Sequence, residues 1–345
     1  MSAYFCPKAG TIVSLADVRA YNSTLKNLAP GLVAIFVGGT SGIGLYTARE
    51  FARTTTSPHI YLVGRNETEA TKITQELKTI NSKSTVDFIK KDVSLLRKVD
   101  EVCKEIKERE KSVNLLFMSC GVLTLNGRDG TEEGLDRKHS LHYYARMRFI
   151  QNLAPLLTAA AENTDPNAAL SRVVSVYDPF IGRANKPDFS DLALKSTFSL
   201  AHVANHSSAM QNFALERFAR LYTKTAFVHE QPGSVETSLV KMPLVKLLYF
   251  LMKPLLVEKK ESGERHLFYS TAPRYAPKVK ADGKGVAMGA DGVMGSGSYH
   301  LSWSGNAHGD DSEVVKEMRA DGAEEKIWTH TEEVFKKVCE EGGMY

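Results

Sequence analysis

The chain has 345 residues, 43% of them hydrophobic, which allows a sizeable core and excludes global disorder. A formal net charge of +4 on this length is mild; it excludes the dense basic surface of a nucleic-acid binder, and no nucleic-acid partner is expected. The four cysteines, Cys6, Cys103, Cys120 and Cys339, are scattered without CxxC or Cys/His pairing, which excludes a disulfide frame and a metal site and fits free thiols in a reducing, cytoplasmic compartment.

Residues 1–30 read as an N-terminal extension with one helix over 14–28, Ser14 as its N-cap and Asp17 in its first turn. No charged segment followed by an apolar one marks a secretory signal. Pro30-Gly31 ends the extension. The apolar run 33–37 then enters the turn Gly38-Gly39-Thr40-Ser41-Gly42-Ile43-Gly44, and a helical pattern follows over 44–53. Such a turn presents backbone N–H groups and a helix N-terminus to a phosphate. Gly38 makes the tight turn, Gly42 lets the backbone approach a pyrophosphate, and Gly44 lets helix and strand pack closely. Three glycines alone are a weak signal; the strand before and the helix after give them weight.

Further apolar runs at 59–63, 86–89, 115–119, 172–177 and 226–229 predict strands, and 67–80, 95–110, 132–161 and 198–222 predict the helices between them. Continuous apolar strands alternating with helices mean an α/β fold, a doubly wound parallel sheet of the Rossmann type, with ligands at the carboxyl ends of the strands. Residues 185–197 form a polar inserted loop. Leu244, Leu247, Leu248 and Leu251 recur at i, i+3, i+4 and i+7, an amphipathic helix. Two readings compete for it, a lid over a hydrophobic substrate and a peripheral helix on a membrane surface; the short, modestly basic polar face favours the lid, or plain packing, over the membrane. Residues 239–257 are broken by Lys241, Pro243, Lys246, Lys253 and Pro254, so no transmembrane segment is expected. The glycines at 289, 292, 295 and 297 read as turns, 299–303 as a strand and 311–341 as one closing helix. The organisation expected is a 1–30 extension, a 31–240 dinucleotide-binding core, and a 241–345 lid and tail packed on that core.

With these features the chain resembles the short-chain dehydrogenase/reductase superfamily over residues 30–240. The family turn Thr-Gly-x-x-x-Gly-x-Gly appears with Val37 in place of the leading Thr. The resemblance implies a dinucleotide held by Gly38, Thr40, Ser41, Gly42, Ile43 and Gly44. After the second strand, Val63-Gly64-Arg65-Asn66 lacks the acidic residue that takes the ribose hydroxyl of NAD. Arg65 instead suits a 2′-phosphate, so the implied cofactor is NADP(H), with Asn66 beside it. Asp92-Val93 stands where the family contacts adenine, and Ser119-Cys120-Gly121 where it has Asn-Ala-Gly. Pro232-Gly233-Ser234-Val235-Glu236-Thr237 matches the segment near the nicotinamide, with Pro232, Gly233, Val235 and Thr237 on the pattern. Tyr143 to Phe149, Arg172 to Val176 and Glu261 to Leu267 bring the chain nearest to fungal dehydrogenase-like proteins, many of them in secondary-metabolite pathways. The lid candidate suggests a small-molecule substrate that is hydrophobic and larger than a small acid. Paired or four-fold homo-oligomers are common in the superfamily, through helices that include 198–222; the long tail here can alter that assembly, so the oligomeric state stays open.

The family's chemistry uses a Tyr and a Lys four residues apart, a Ser and an Asn. In Ala204-Asn205-His206-Ser207-Ser208-Ala209 the Tyr position falls on Ala204 and the Lys position on Ser208. The Ser position falls on Asp178, beside Tyr177, and the Asn position on His142. No tyrosine occurs from Asp178 to Leu221. The candidate catalytic residues are therefore Tyr177 and Asp178 after the fifth strand, which are preferred, His142 and Tyr143 on the long helix, and His202 or His206 near the missing Tyr. An oxidoreductase with atypical proton donors is the leading expectation. A non-redox cyclase, isomerase or dehydratase on the same scaffold is the alternative, with a non-enzymatic dinucleotide-binding protein behind both.

Overall fold

The computed structural model describes residues 12–235, 256–281, 285–309 and 312–345. At its centre is an eight-stranded sheet in the order β3-β2-β1-β4-β5-β6-β7-β8. Strands β1 (Val33–Val37), β2 (His59–Gly64), β3 (Thr85–Lys90), β4 (Leu115–Met118), β5 (Arg172–Val176), β6 (Ala226–Glu230) and β7 (Ser298–Leu301) pair parallel, and β8 (Ala307–His308) returns antiparallel on β7. The six apolar runs of the sequence and the strand expected at 299–303 correspond to these seven parallel strands. Strand order reverses between β1 and β4, so a ligand crevice is expected at their carboxyl ends.

β1, β4, β5 and β6 are buried at every position because helices cover both faces. One face carries α4 (Leu96–Arg109), α5 (residues 137–161), α6 (Leu200–Leu221), α8 (Glu313–Ala320) and α9 (Ala323–Phe335). The other carries α1 (Leu15–Asn22), α2 (Gly42–Thr54), α3 (Glu67–Ile80) and α7 (Lys259–Thr271). On α4, Leu96, Val99, Val102, Cys103 and Ile106 recur at helical spacing and form its buried side. Trp328 of α9 packs edge-on to Phe218 of α6, 5.1 Å between ring centres, and covers part of α6 from within the chain.

Three expectations change. The first helix ends at Asn22, and a 3-10 turn over Leu25–Asn27 follows. The closing segment is two helices, because Gly322 takes a φ of 68° between them. The chain also contains α7, which no periodicity announced. The amphipathic 244–251 segment, Cys6 and Thr237 lie outside the described residues. Among those described, no helix is long and apolar enough to cross a membrane, no cluster of side chains could hold a metal ion, and Cys103, Cys120 and Cys339 are free thiols.

Nearly every residue of α7 from Ser262 onward is buried, and its polar groups meet distant partners. Arg19 Nε lies 2.9 Å from Glu264 Oε2, Asn22 Nδ2 donates to Glu264 O at 2.8 Å, and His266 Nε2 lies 2.8 Å from Glu230 Oε1. Burial opposes charge on His266, but the Glu230 carboxylate outweighs it and holds the imidazole above its ordinary 6.5. A histidine raised by folding contributes stability that is full below its unfolded value and is lost as pH climbs through the raised one. His266→Leu leaves Glu230 buried without a counter-charge, at an expected cost of about 3–5 kcal/mol. The check is denaturant unfolding at pH 6, where an unchanged midpoint removes this ion pair from the account of stability.

Candidate active site

β1 delivers the chain into the glycine turn. Gly38 has a φ of 88°, and a Cβ there would stand 2.8 Å from Cys120 N; at Gly44 it would stand 2.6 Å from both Gly38 O and Ser119 Oγ. The turn is thus pressed against the end of β4, and neither position admits a side chain. Ser41 precedes α2 and makes no side-chain cap bond, which leaves the first N–H groups of the helix for an acceptor from outside. Thr40 wedges the turn against Gly64 at the end of β2.

One strand over, Arg65 follows β2 with its side chain 61% exposed and Nη1 3.5 Å from Asp92 Oδ2. Arg137 Nη1 stands at the same distance from that oxygen. Burial would raise the Asp92 carboxyl, yet hydrogen bonds from Ser94, then the Arg65 and Arg137 charges, hold it below its ordinary value. Asn66 is the N-cap of α3, accepting from Glu69 N at 3.1 Å, and Val93 lies in the core.

At the carboxyl ends of β4, β5 and β6 the crevice widens into a cleft of about 760 Å3. Helix α5 is wound as a π turn over Ser140–Tyr144, which frees carbonyls from the regular helix ladder. Leu141 O accepts from Arg146 Nε at 3.1 Å, and His142 O accepts from Gln211 Nε2 at 2.8 Å. Arg146 is 1% exposed. It also donates to Cys120 O at 2.7 Å, Val176 O at 3.0 Å and Ser175 Oγ at 2.7 Å, and Ser175 donates to Gln211. None of these acceptors is a carboxylate, so a full positive charge lies in the floor of the cleft.

Tyr177 follows β5 directly. Its ring centre is 5.7 Å from the Arg146 guanidinium carbon and 4.9 Å from the His142 ring, and it stacks on His229 at 6.4 Å with planes 11° apart. Its side chain lines the cleft, and its hydroxyl has no protein partner among the described residues. Burial pushes that hydroxyl up to about 12, with Arg146 pulling the other way. Burial, then the Arg146 and Lys138 charges, push His142 down to about 3, so its imidazole is neutral. The Asp178 carboxylate accepts from Phe180 N at 2.8 Å and Gln231 Nε2 at 2.9 Å.

The cleft therefore gathers Gly38, Ser41, Gly42, Ile43, Cys120, Gly121, His142, Tyr177, Asp178, Pro232 and Gly233 along one wall system. Val235 lies behind it, bridged to Val257, and Arg65 and Asp92 lie at the ends of the neighbouring strands. Tyr143 must be corrected. Its ring is fully buried, and its hydroxyl pairs with Thr331 Oγ1 of α9 at 2.7 Å, off the cleft. Sequence reasoning missed Arg146, Gln211, Gln231 and Trp303. Arg146 was visible as a charged residue in the apolar stretch of the long helix, and that was the signal available.

The position expected for the family's Lys is closed. Ser208 Oγ donates to Asp178 O at 2.7 Å and accepts from Gly182 N at 2.8 Å. The turn Ile181–Arg183 lies so flat on α6 that a Cβ on Gly182 would stand 2.3 Å from Ala209 N. A longer side chain at 208 would displace this turn.

The family profile of the short chain dehydrogenases matches residues 32–162. Oxidoreductase AN1596 of Emericella nidulans is 39% identical over 94% of this chain and 98% of its own length. Oxidoreductase andH of Emericella variicolor is 34% identical over 94% and 97%, and short-chain dehydrogenase/reductase SAT2 of Stachybotrys chartarum 29% identical over 92% and 95%. Among solved structures, the NADPH-bound carbonyl reductase from chicken fatty liver matches with a TM-score of 0.56 at 16% identity, covering 81% of this chain and all of that one, a likeness of fold. With a relative this similar along nearly its whole length, and a sheet and glycine turn of the expected form, the chain belongs to the short-chain dehydrogenase/reductase family of oxidoreductases.

Proposed function

We propose that the protein is an NADP(H)-dependent oxidoreductase acting on a carbonyl or alcohol carbon of a hydrophobic secondary metabolite, with Tyr177 as its proton donor. The observation that carries this reading is the unpartnered Tyr177 hydroxyl in the cleft that begins at the glycine turn. The names of the relatives, oxidoreductase and short-chain dehydrogenase/reductase, favour it over a non-redox reaction.

The residues fit the cofactor, since the side-chain-free faces of Gly38 and Gly44 and the uncapped start of α2 form a cradle for a diphosphate. Ser41, Gly42 and Ile43 would hold the diphosphate, Arg65 the 2′-phosphate, Asp92 and Val93 the adenine side. Cys120 and Gly121 would flank the ribose, and Pro232, Gly233 and Val235 the nicotinamide. When bound, NADPH supplies a hydride. Tyr177 then delivers the proton from its hydroxyl to the substrate oxygen, and Arg146 beneath the ring favours the phenolate that remains. Neutral His142 confines the ring on one side, and Asp178 holds the loop through Phe180 and Gln231. Leu123, Ile181 and Trp303 line the cleft yet stand 56%, 37% and 43% exposed, an apolar mouth that suits an apolar substrate.

Two measurements test the proposal. The first supplies NADPH deuterated at C4 together with the metabolite that accumulates when the gene is silenced; one deuterium per product molecule is expected. An isomeric product without deuterium overturns the redox reading. The second compares cofactors. Arg65→Ala is expected to weaken NADPH binding by about tenfold or more, the size of one charge-assisted contact, and to leave NADH binding unchanged. Calorimetry that finds NADPH affinity unmoved removes Arg65 from the phosphate site.

A further inference from the structure

A second cavity lies at the other end of the sheet. It measures about 570 Å3 and opens between α1, the segment entering β5, the C-terminal end of α7 and the chain after it. Arg172, first residue of β5, lines this cavity; Val176, last residue of the same strand, lines the cleft. Five residues of strand separate the two sites by about 15 Å.

The walls are apolar: Val13, Leu28, Leu170, Phe268 and Val286, with Pro166, Pro273 and Pro277 between them. Two cations are set into those walls, Arg172 at 2% exposure and the partly buried Lys280. Arg172 donates Nη1 to Tyr269 O at 2.9 Å and Nη2 to Ala272 O at 3.2 Å, at the end of α7, and its buried Nε has no partner. Lys280 Nζ donates to Ala169 O at 3.1 Å. These acceptors are all neutral carbonyls. Asp17 is the one carboxylate among the described lining residues, and it is engaged by the Ser14 hydroxyl at 2.7 Å. Burial pushes Arg172 down to about 10 and Lys280 below its ordinary value, as desolvated cations without a counter-charge require.

Buried charge of one sign beside an apolar chamber is costly when empty of anions and favourable when one enters. Size and lining match a small-molecule site, with few polar groups on an apolar wall. We propose that this cavity binds an amphiphilic carboxylate, its head between Arg172 and Lys280 and its hydrocarbon body along Leu28, Phe268 and Val286. The site is separate from the cleft and does not depend on the reaction assigned there.

The test is titration calorimetry on the full chain with decanoate, using decan-1-ol as the uncharged probe. One molecule of decanoate per chain is expected, bound at least about tenfold more tightly than the alcohol. Lys280→Glu is expected to weaken decanoate binding by about tenfold or more, Lys280→Gln by less. Leu123→Asp, at the mouth of the cleft, is expected to leave it unchanged. Absence of binding, equal affinity for acid and alcohol, indifference to both Lys280 substitutions, or loss in Leu123→Asp overturns the proposal.

Discussion

Tyr177→Phe is expected to lower kcat by about 10²–10⁴-fold, the range that a positioned proton donor contributes, with KM and NADPH affinity nearly unchanged. The substitution removes only the hydroxyl. The ring keeps its places against His142 and His229 and over Arg146. No protein hydrogen bond is lost, because the hydroxyl has none among the described residues. A fall in kcat without a fall in stability therefore reports chemistry alone. The pH profile follows from the same groups. Facing Tyr177 are Arg146 and His142 from α5, His229 from β6 and its neighbour Asp178. With its value pushed up to about 12, Tyr177 stays protonated across the physiological range. His142 at about 3 and His229, also held far down by burial, stay neutral there. The rate of carbonyl reduction is thus expected to show no histidine inflection between pH 5 and 8. If Tyr177→Phe keeps its kcat while Asp178→Asn loses it, the proton comes from Asp178 and the assignment fails.

How much of this was legible in the sequence depended on where the physical signal was local. Strands such as Val33–Val37 and Leu115–Met118 announce themselves because both faces are buried and every position is apolar. The glycine turn is legible because Gly38 and Gly44 stand where a Cβ collides with backbone. Helix α7 was silent for the opposite reason. It is buried almost all round, and its Glu264 and His266 are neutralised by Arg19 and Glu230, some 245 and 36 residues away in the chain, so no amphipathic period survives. The site divides in the same way. Cys120, His142, Tyr177 and Pro232 could be placed by position relative to strands. Tyr143 could not be told from His142, because the π turn decides which of two adjacent side chains meets the cleft and which meets Thr331. The closure over Ser208 was equally invisible, since it depends on Gly182 lying flat against α6. Ala204 and Ser208 thus read in sequence as a deletion of chemistry, whereas in the fold Ser208 ties the Tyr177–Asp178 loop to α6.

Arg146 carries the second large expected effect, and it has two separable parts. As a clamp it joins the ends of β4 and β5 to the π turn through Cys120 O, Val176 O, Leu141 O and Ser175 Oγ. As a charge it lies under the Tyr177 ring with no carboxylate bonded to it. Arg146→Met removes both parts. It leaves buried acceptors unsatisfied, at about 1–3 kcal/mol for each that finds no water, and an overall cost of about 3–5 kcal/mol is expected, as for other broken buried polar networks. It also withdraws the charge that favours the phenolate, with an expected loss of about 10²–10³-fold in kcat, comparable to losing one preorganised electrostatic donor. Arg146→Lys separates the parts. Lysine has three donors on a point charge and cannot span four acceptors set around a planar fork. The clamp is therefore lost while the charge stays, so stability is expected to fall nearly as far as in the methionine variant while kcat recovers at least about tenfold over it. The two readings come from denaturant midpoints and single-turnover rates on the same preparations. Equal rates in the lysine and methionine variants would make Arg146 a clamp alone, and Tyr177 would then have to act without a cation beneath it.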